Sequence, residues 1–90
     1  MANIRIPTPL RAYTGNQAQV EVAGATVGAA LADLTARYSE LRPHLYDGDT
    51  LRSFVNIYLG DEDIRALDGL DTEIEAGDSL RIIPSIAGGR

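Results

Sequence analysis

An α+β fold, with one principal helix packed across a mixed sheet, is predicted by three features of this 90-residue sequence. Short stretches near both ends alternate apolar and polar residues, the period of a half-buried strand. A single stripe at helical spacing covers residues 26–38. The remaining strands follow one another without intervening helices, which argues against a doubly wound α/β fold.

The elements follow in order. "ANIRIP" places Ile4 and Ile6 on one face of a first strand. "TPLRAYTGN" reads as a helical turn with Thr8 as N-cap, Pro9 at the first helical position and Gly15 as a left-handed exit. "QAQVEVA" alternates Val20 and Val22 with Gln19 and Glu21, a second strand antiparallel to the first. In "TVGAALADLTARY", Val27, Ala30, Leu31, Leu34 and Tyr38 form one apolar stripe behind a Thr26 N-cap. Gly28 costs this helix up to ~1 kcal/mol against alanine, and a close helix–sheet contact is the expected reason for it.

Residues 42–51, "RPHLYDGDTL", read as a loop with one helical turn after Pro43. "SFVNIYL" turns Val55, Ile57 and Leu59 to the core and Phe54, Asn56 and Tyr58 to the other face. "GDED" is a turn and "IRAL" a short strand; Leu70 and Ile74 pack locally, and "SLRIIP" is the last strand, ending at Pro84. The expected division is a domain over 1–84 and a flexible small-residue tail over 85–90.

Composition narrows the chemistry. Eight arginines against 13 carboxylates leave a net charge of -5 with no lysine, a balance that disfavours nucleic acid and anionic membranes and suits a locally basic partner. No cysteine is present, which excludes disulfides, thiolate nucleophiles and cysteine metal sites, and the missing lysine excludes Schiff-base chemistry. No secretory leader or membrane span is apparent, so the expected location is the cytoplasm.

The catalytic inventory is correspondingly thin, and no enzyme is expected. His44 is the one histidine and has no evident serine partner, so it reads as a loop residue. "DGD" (Asp47, Asp49) and "DED" (Asp61, Glu62, Asp63) lack the spacing of a calcium loop and read as turns and rim charges, so no metal or other cofactor is expected on this chain. Phe54 and Tyr58, on the face away from the core, form a candidate docking patch together with Ile86.

The end of the chain, "PSIAGGR", carries the most specific chemistry. Gly89 lies five positions after Pro84, so an extended backbone places the Gly89 carbonyl roughly 17 Å beyond the sheet. Ala87 and Gly88 are slim enough to thread a narrow channel, and a terminal carboxylate delivered through it is a handle for adenylation.

Taken together, the element order, "IPTPLRAYTGNQ" (6–17), "FVNIYLGDEDIR" (54–65) and "AGDSLRIIPSIAGG" (76–89) resemble the ubiquitin-like sulfur-carrier family, of the ThiS/MoaD type. The resemblance is strongest to its cysteine-pathway members and covers nearly the whole chain. It implies a β-grasp fold. It also implies that an E1-like adenylyltransferase and sulfurtransferase, using ATP, converts the terminal glycine to a thiocarboxylate. The expected acceptor is a pyridoxal-phosphate-dependent cysteine synthase, with a JAMM-type zinc metalloprotease freeing the product. On this resemblance Gly89 bears the sulfur, and ATP, pyridoxal phosphate and zinc belong to the partners.

One departure stands out. Arg90 follows the Gly-Gly pair, so Gly89 has no free carboxylate until the Gly89–Arg90 bond is cleaved. The alternatives are a carrier for thiamine, molybdopterin or another sulfur pathway, and a ubiquitin-like protein modifier.

Overall fold

A computed structural model describes residues 1–84; Ile86, Ala87, Gly88, Gly89 and Arg90, singled out in the sequence, lie outside the described residues. The elements are β1 (Ala2–Arg5), β2 (Gln19–Val22), α1 (Val27–Arg37), α2 (Arg42–Leu45), β3 (Tyr46–Asp47), β4 (Thr50–Leu51), β5 (Val55–Leu59), β6 (Glu62–Asp63) and β7 (Ser79–Pro84), with short 3-10 turns between them. Five strands form one mixed sheet in the order β2-β1-β7-β5-β6, and β3 pairs with β4 in a separate hairpin. This is the β-grasp arrangement.

The sheet is built around its last strand. β7 runs parallel to β1, Ile4 facing Leu80, and antiparallel to β5, Ile57 facing Ile82. Alternation then sends Ile4, Leu80, Ile82, Val55 and Ile57 inward, where all are buried. Across from them lie Val27, Ala30, Leu31 and Leu34 of α1, each with 0% exposure. The two periodicities, two along the strands and 3.6 along the helix, thus meet in one core.

α1 begins where the sequence predicts, with the Thr26 hydroxyl accepting from the Ala29 N–H at 3.1 Å. Five expectations need correction. Thr8 is not the N-cap of the 8–14 turn. That segment is a 3-10 helix whose cap position is Pro7, with no side-chain cap, although Gly15 does take the left-handed exit at φ 63°. "IRAL" is not a strand: Ile64–Ala66 is a 3-10 turn capped by Asp63, and the short edge strand is Glu62–Asp63 just before it. The loop expected over 42–51 has its helical turn, α2, but its second half is the β3–β4 hairpin and not irregular chain. Leu59 is only half-buried.

Gly28 is the fifth. A Cβ on it would lie 3.1 Å from the Leu70 carbonyl oxygen and 3.3 Å from the Leu70 Cβ, so its close neighbour is the 69–71 turn and not the sheet. Helical periodicity marks Gly28 as a close approach without telling what approaches it.

Candidate functional site at the end of the last strand

The site is the end of the sheet where β7 leaves it. Pro84 faces Val55 in the register and has no N–H to donate, so it closes the ladder. A side-chain relay holds the strand just before this point. The Asn56 amide donates to the Ile83 carbonyl oxygen at 3.2 Å, and its own carbonyl accepts from Arg65 Nη1 at 2.6 Å. Arg65 Nη2 also donates to the carbonyls of Ser53 and Val55 at 3.1 and 3.0 Å. β6 pairs only with Tyr58 and Leu59, so the start of β5 has no strand along that edge, and one guanidinium satisfies its carbonyls instead.

Arg65 is half exposed and its contact to Asp63 is 3.9 Å long, so the carbonyl bonds matter more than that ion pair. Arg65→Ala is expected to cost about 1–2 kcal/mol in urea unfolding. Arg65→Lys should recover less than half of this, since one ammonium cannot reach three acceptors in a plane. Full recovery by lysine would show that charge alone matters here.

Beside Pro84 an apolar groove opens, lined by Pro9, Leu10, Pro43, His44, Arg52 and Phe54. Phe54 packs against the core edge from this groove. His44 stacks on Tyr13, with ring centroids 4.2 Å apart, and is the groove's polar wall rather than a member of a triad. It belongs to α2, not to an irregular loop. Arg52 is held by an Nε bond to the Pro43 carbonyl at 2.8 Å. Arg52 and His44 thus line this groove with Phe54, while on its other side Phe54 and Arg52 share a second depression with the carboxylate of Asp47.

Tyr58 stands four residues further along the chain, on the exposed sheet face. It lies between Arg81 and Asp63 in the register, with the Arg81 guanidinium 5.6 Å from its ring centre. The structure thus places Phe54 in the groove and Tyr58 on the sheet face. Ile86, the third residue of the expected docking patch, is not among the described residues. Sequence reading missed Asn56, Arg65 and the proline-lined groove, because no periodicity links positions 9, 43, 54 and 84.

Among the described residues no three His, Asp or Glu side chains converge to hold a metal ion. Away from the groove, burial pushes the Tyr46 phenol above its ordinary pKa against the opposing charge of Arg42, which lies 4.5 Å from its ring centre. That tyrosine is neutral at physiological pH. No helix among the described residues is long and apolar enough to cross a membrane.

A β-grasp domain whose last described strand is followed in the sequence by a Gly-Gly pair defines a class, and the comparisons place the chain in it. A ThiS family model matches residues 4–89, and the chain belongs to that family of ubiquitin-like sulfur carriers. The sulfur carrier protein CysO of Mycobacterium tuberculosis is 47% identical over 89 residues, covering 96% of each chain. In three dimensions, a chain of the Amycolatopsis orientalis BexX/CysO complex superposes with a TM-score of 0.90 at 39% identity, covering 99% of this chain and all of that one. The small archaeal modifier protein 3 of Haloferax volcanii is 34% identical over 65 residues, 72% of this chain and 71% of its own length.

Proposed function

We propose that this chain is a sulfur carrier for cysteine biosynthesis, with its chemistry on the carboxyl group of Gly89. The observation that carries this reading is the extent of the family match, which runs through Gly89 and leaves Arg90 outside it. The similarity to CysO over 96% of both chains favours the cysteine pathway over the thiamine and molybdopterin pathways.

Hydrolysis of the Gly89–Arg90 peptide bond comes first, water supplying the second carboxylate oxygen. A carboxylate oxygen then attacks the α-phosphorus of ATP on the adenylating partner, and pyrophosphate leaves. A sulfide-level nucleophile adds to the acyl carbon, the bond to AMP breaks, and Gly89 retains a thiocarboxylate. On a pyridoxal-phosphate-dependent synthase the thiocarboxylate sulfur bonds to the β-carbon of an activated serine as its activating group leaves. The resulting thioester shifts to the cysteine amine as an amide, and a JAMM-type zinc protease hydrolyses that amide to free cysteine and the Gly89 carboxylate. Ala87 and Gly88 thread the partner channels, while Phe54, Tyr58 and Ile86 make docking contacts. The chain is a substrate for each of these enzymes and not itself a catalyst.

Mass spectrometry of the C-terminus of protein isolated from its own cells tests this. The expected species ends at Gly89, and a fraction of it has one oxygen replaced by sulfur after incubation with ATP and extract. If Gly89 is never found terminal, the carrier reading fails.

A second reading, protein modification, is favoured by the similarity to a modifier protein. It predicts high-mass conjugates through target lysines in the same incubation. With no lysine of its own, this chain offers no side-chain amine for building chains on itself.

A further inference from the structure

We propose that the exposed sheet face around Arg5, Arg81 and Ile83 docks an acidic protein surface, whose carboxylates pair with these guanidiniums. In the parallel β1–β7 pair Arg5 lies opposite Arg81, while the adjacent Ile4 and Leu80 are fully buried. Alternation therefore turns both arginines outward, side by side. Like charges directly opposite one another destabilise a sheet, so the fold itself gains nothing from this pair.

The surrounding residues leave Arg5 uncompensated, while Arg81 is held only by weak partners, the Tyr58 ring among them. Ion pairs among the described residues engage Arg37, Arg42, Arg65 and Arg81, and Arg5 enters none of them. The other register neighbour of Arg5, Gln19, directs its amide to Asn3. Arg81 leans the other way, donating to the Gly60 carbonyl at 3.0 Å, and its Asp61 partner sits 3.8 Å away on a fully exposed side chain. Such a pair contributes little.

Two residues beyond Arg81, Ile83 is 39% exposed on the same face, next to the point where the chain leaves the sheet. Glu73, Glu75 and Asp78 gather at the other end of β7, before its first residue. A net charge of -5 thus conceals a cationic, partly apolar patch beside Pro84. An acidic occupant gains charge-assisted bonds from two planar guanidiniums and apolar contact with Ile83. A basic occupant meets repulsion, and a purely apolar one would bury the Arg5 cation without a partner. This surface holds whether the C-terminus carries sulfur or forms conjugates.

The test is an NMR titration of the full chain at low salt with poly-glutamate and, separately, poly-lysine. Poly-glutamate is expected to shift the signals of Arg5, Arg81 and Ile83 saturably, and the effect should fade with added salt. It should vanish in the folded Arg5→Glu, Arg81→Glu double variant. Poly-lysine should move residues 73–78 instead. Arg5→Gln should weaken poly-glutamate binding at least fivefold while raising Tm by about 1–3 °C, because it removes a like-charge neighbour. Unmoved signals at the three residues, the same shifts in the charge-reversed variant, or a lower Tm for Arg5→Gln would each overturn the proposal.

Discussion

The chain ending at Gly89 is expected to support ATP–pyrophosphate exchange with its adenylating partner, whereas the chain ending at Arg90 shows no rate above background. The reason is chemical rather than conformational. With Arg90 attached, Gly89 presents an amide carbonyl in place of a carboxylate, and an amide oxygen is a poor nucleophile toward the α-phosphorus. The loss should exceed the roughly 10²-fold that mispositioning alone produces, because the reacting group is absent and not merely displaced.

Gly88→Trp in the shortened chain separates the two effects. It keeps the carboxylate but adds a bulky side chain beside it, so exchange should fall by about 10²-fold or more. The described core runs from Ala2 to Ile82, and thermal stability is expected to stay within about 0.5 kcal/mol of the parent. Equal exchange by the chains with and without Arg90 would show that the reacting carboxyl is not on Gly89.

The second large effect concerns the scaffold. Gly24→Ala is expected to destabilise the domain by about 2–3 kcal/mol, the range for forcing extra volume into a packed site. A Cβ on Gly24 would lie 2.7 Å from the Ala30 nitrogen and 2.8 Å from the Ala29 carbonyl carbon, both backbone atoms of α1. The connection cannot readily move away. The Ala23 N–H is held by Asp33 Oδ2 at 2.9 Å, and the Ala25 carbonyl accepts from the Ile74 N–H at 3.0 Å.

Gly28→Ala is the control. Its Cβ contacts of 3.1 and 3.3 Å require only a small shift of the 69–71 turn, and alanine returns up to ~1 kcal/mol of helix propensity. Its net effect should be near zero. Thermal unfolding of the pair is expected to give a Tm loss of roughly 10–20 °C for Gly24→Ala and little change for Gly28→Ala. Similar melting points for the two would show that the Gly24 crossing is not tight.

Much of the fold was legible from local pattern. The alternation in "ANIRIP", "QAQVEVA" and "SLRIIP" marks strands because a two-residue period is a property of the strand itself. The stripe from Val27 to Leu34 marks α1 for the same reason, and Thr26 caps it as its chemistry predicts. The short elements were less legible. The β3–β4 hairpin is only two residues deep on each side, too short for any period to show. Ile64–Ala66 reads as strand from its residue types yet winds into a 3-10 turn, because the Asp63 carboxylate caps the Arg65 N–H at 2.9 Å.

Charge was the least legible. The net charge points to a basic partner, but an average over thirteen carboxylates and eight arginines carries no position. In three dimensions Arg52 and His44 flank the groove at Phe54, and Arg5 and Arg81 stand together on the sheet.

Sequence by itself determined the chemistry open to this protein. No thiol, no lysine, a single histidine and a Gly-Gly pair just beyond the last strand leave a carboxyl group as the reactive handle. Tertiary structure decided how the strand that precedes this tail in the sequence is held. β7 lies between β1 and β5, although most of the chain separates it from β1, because only that order buries Ile4, Ile57, Leu80 and Ile82 on one face against α1. Periodicity shows which way each side chain points within its own element. Which elements become neighbours is settled by joint burial, and so the Arg5–Arg81 pair and the groove beside Pro84 emerge only in the folded chain.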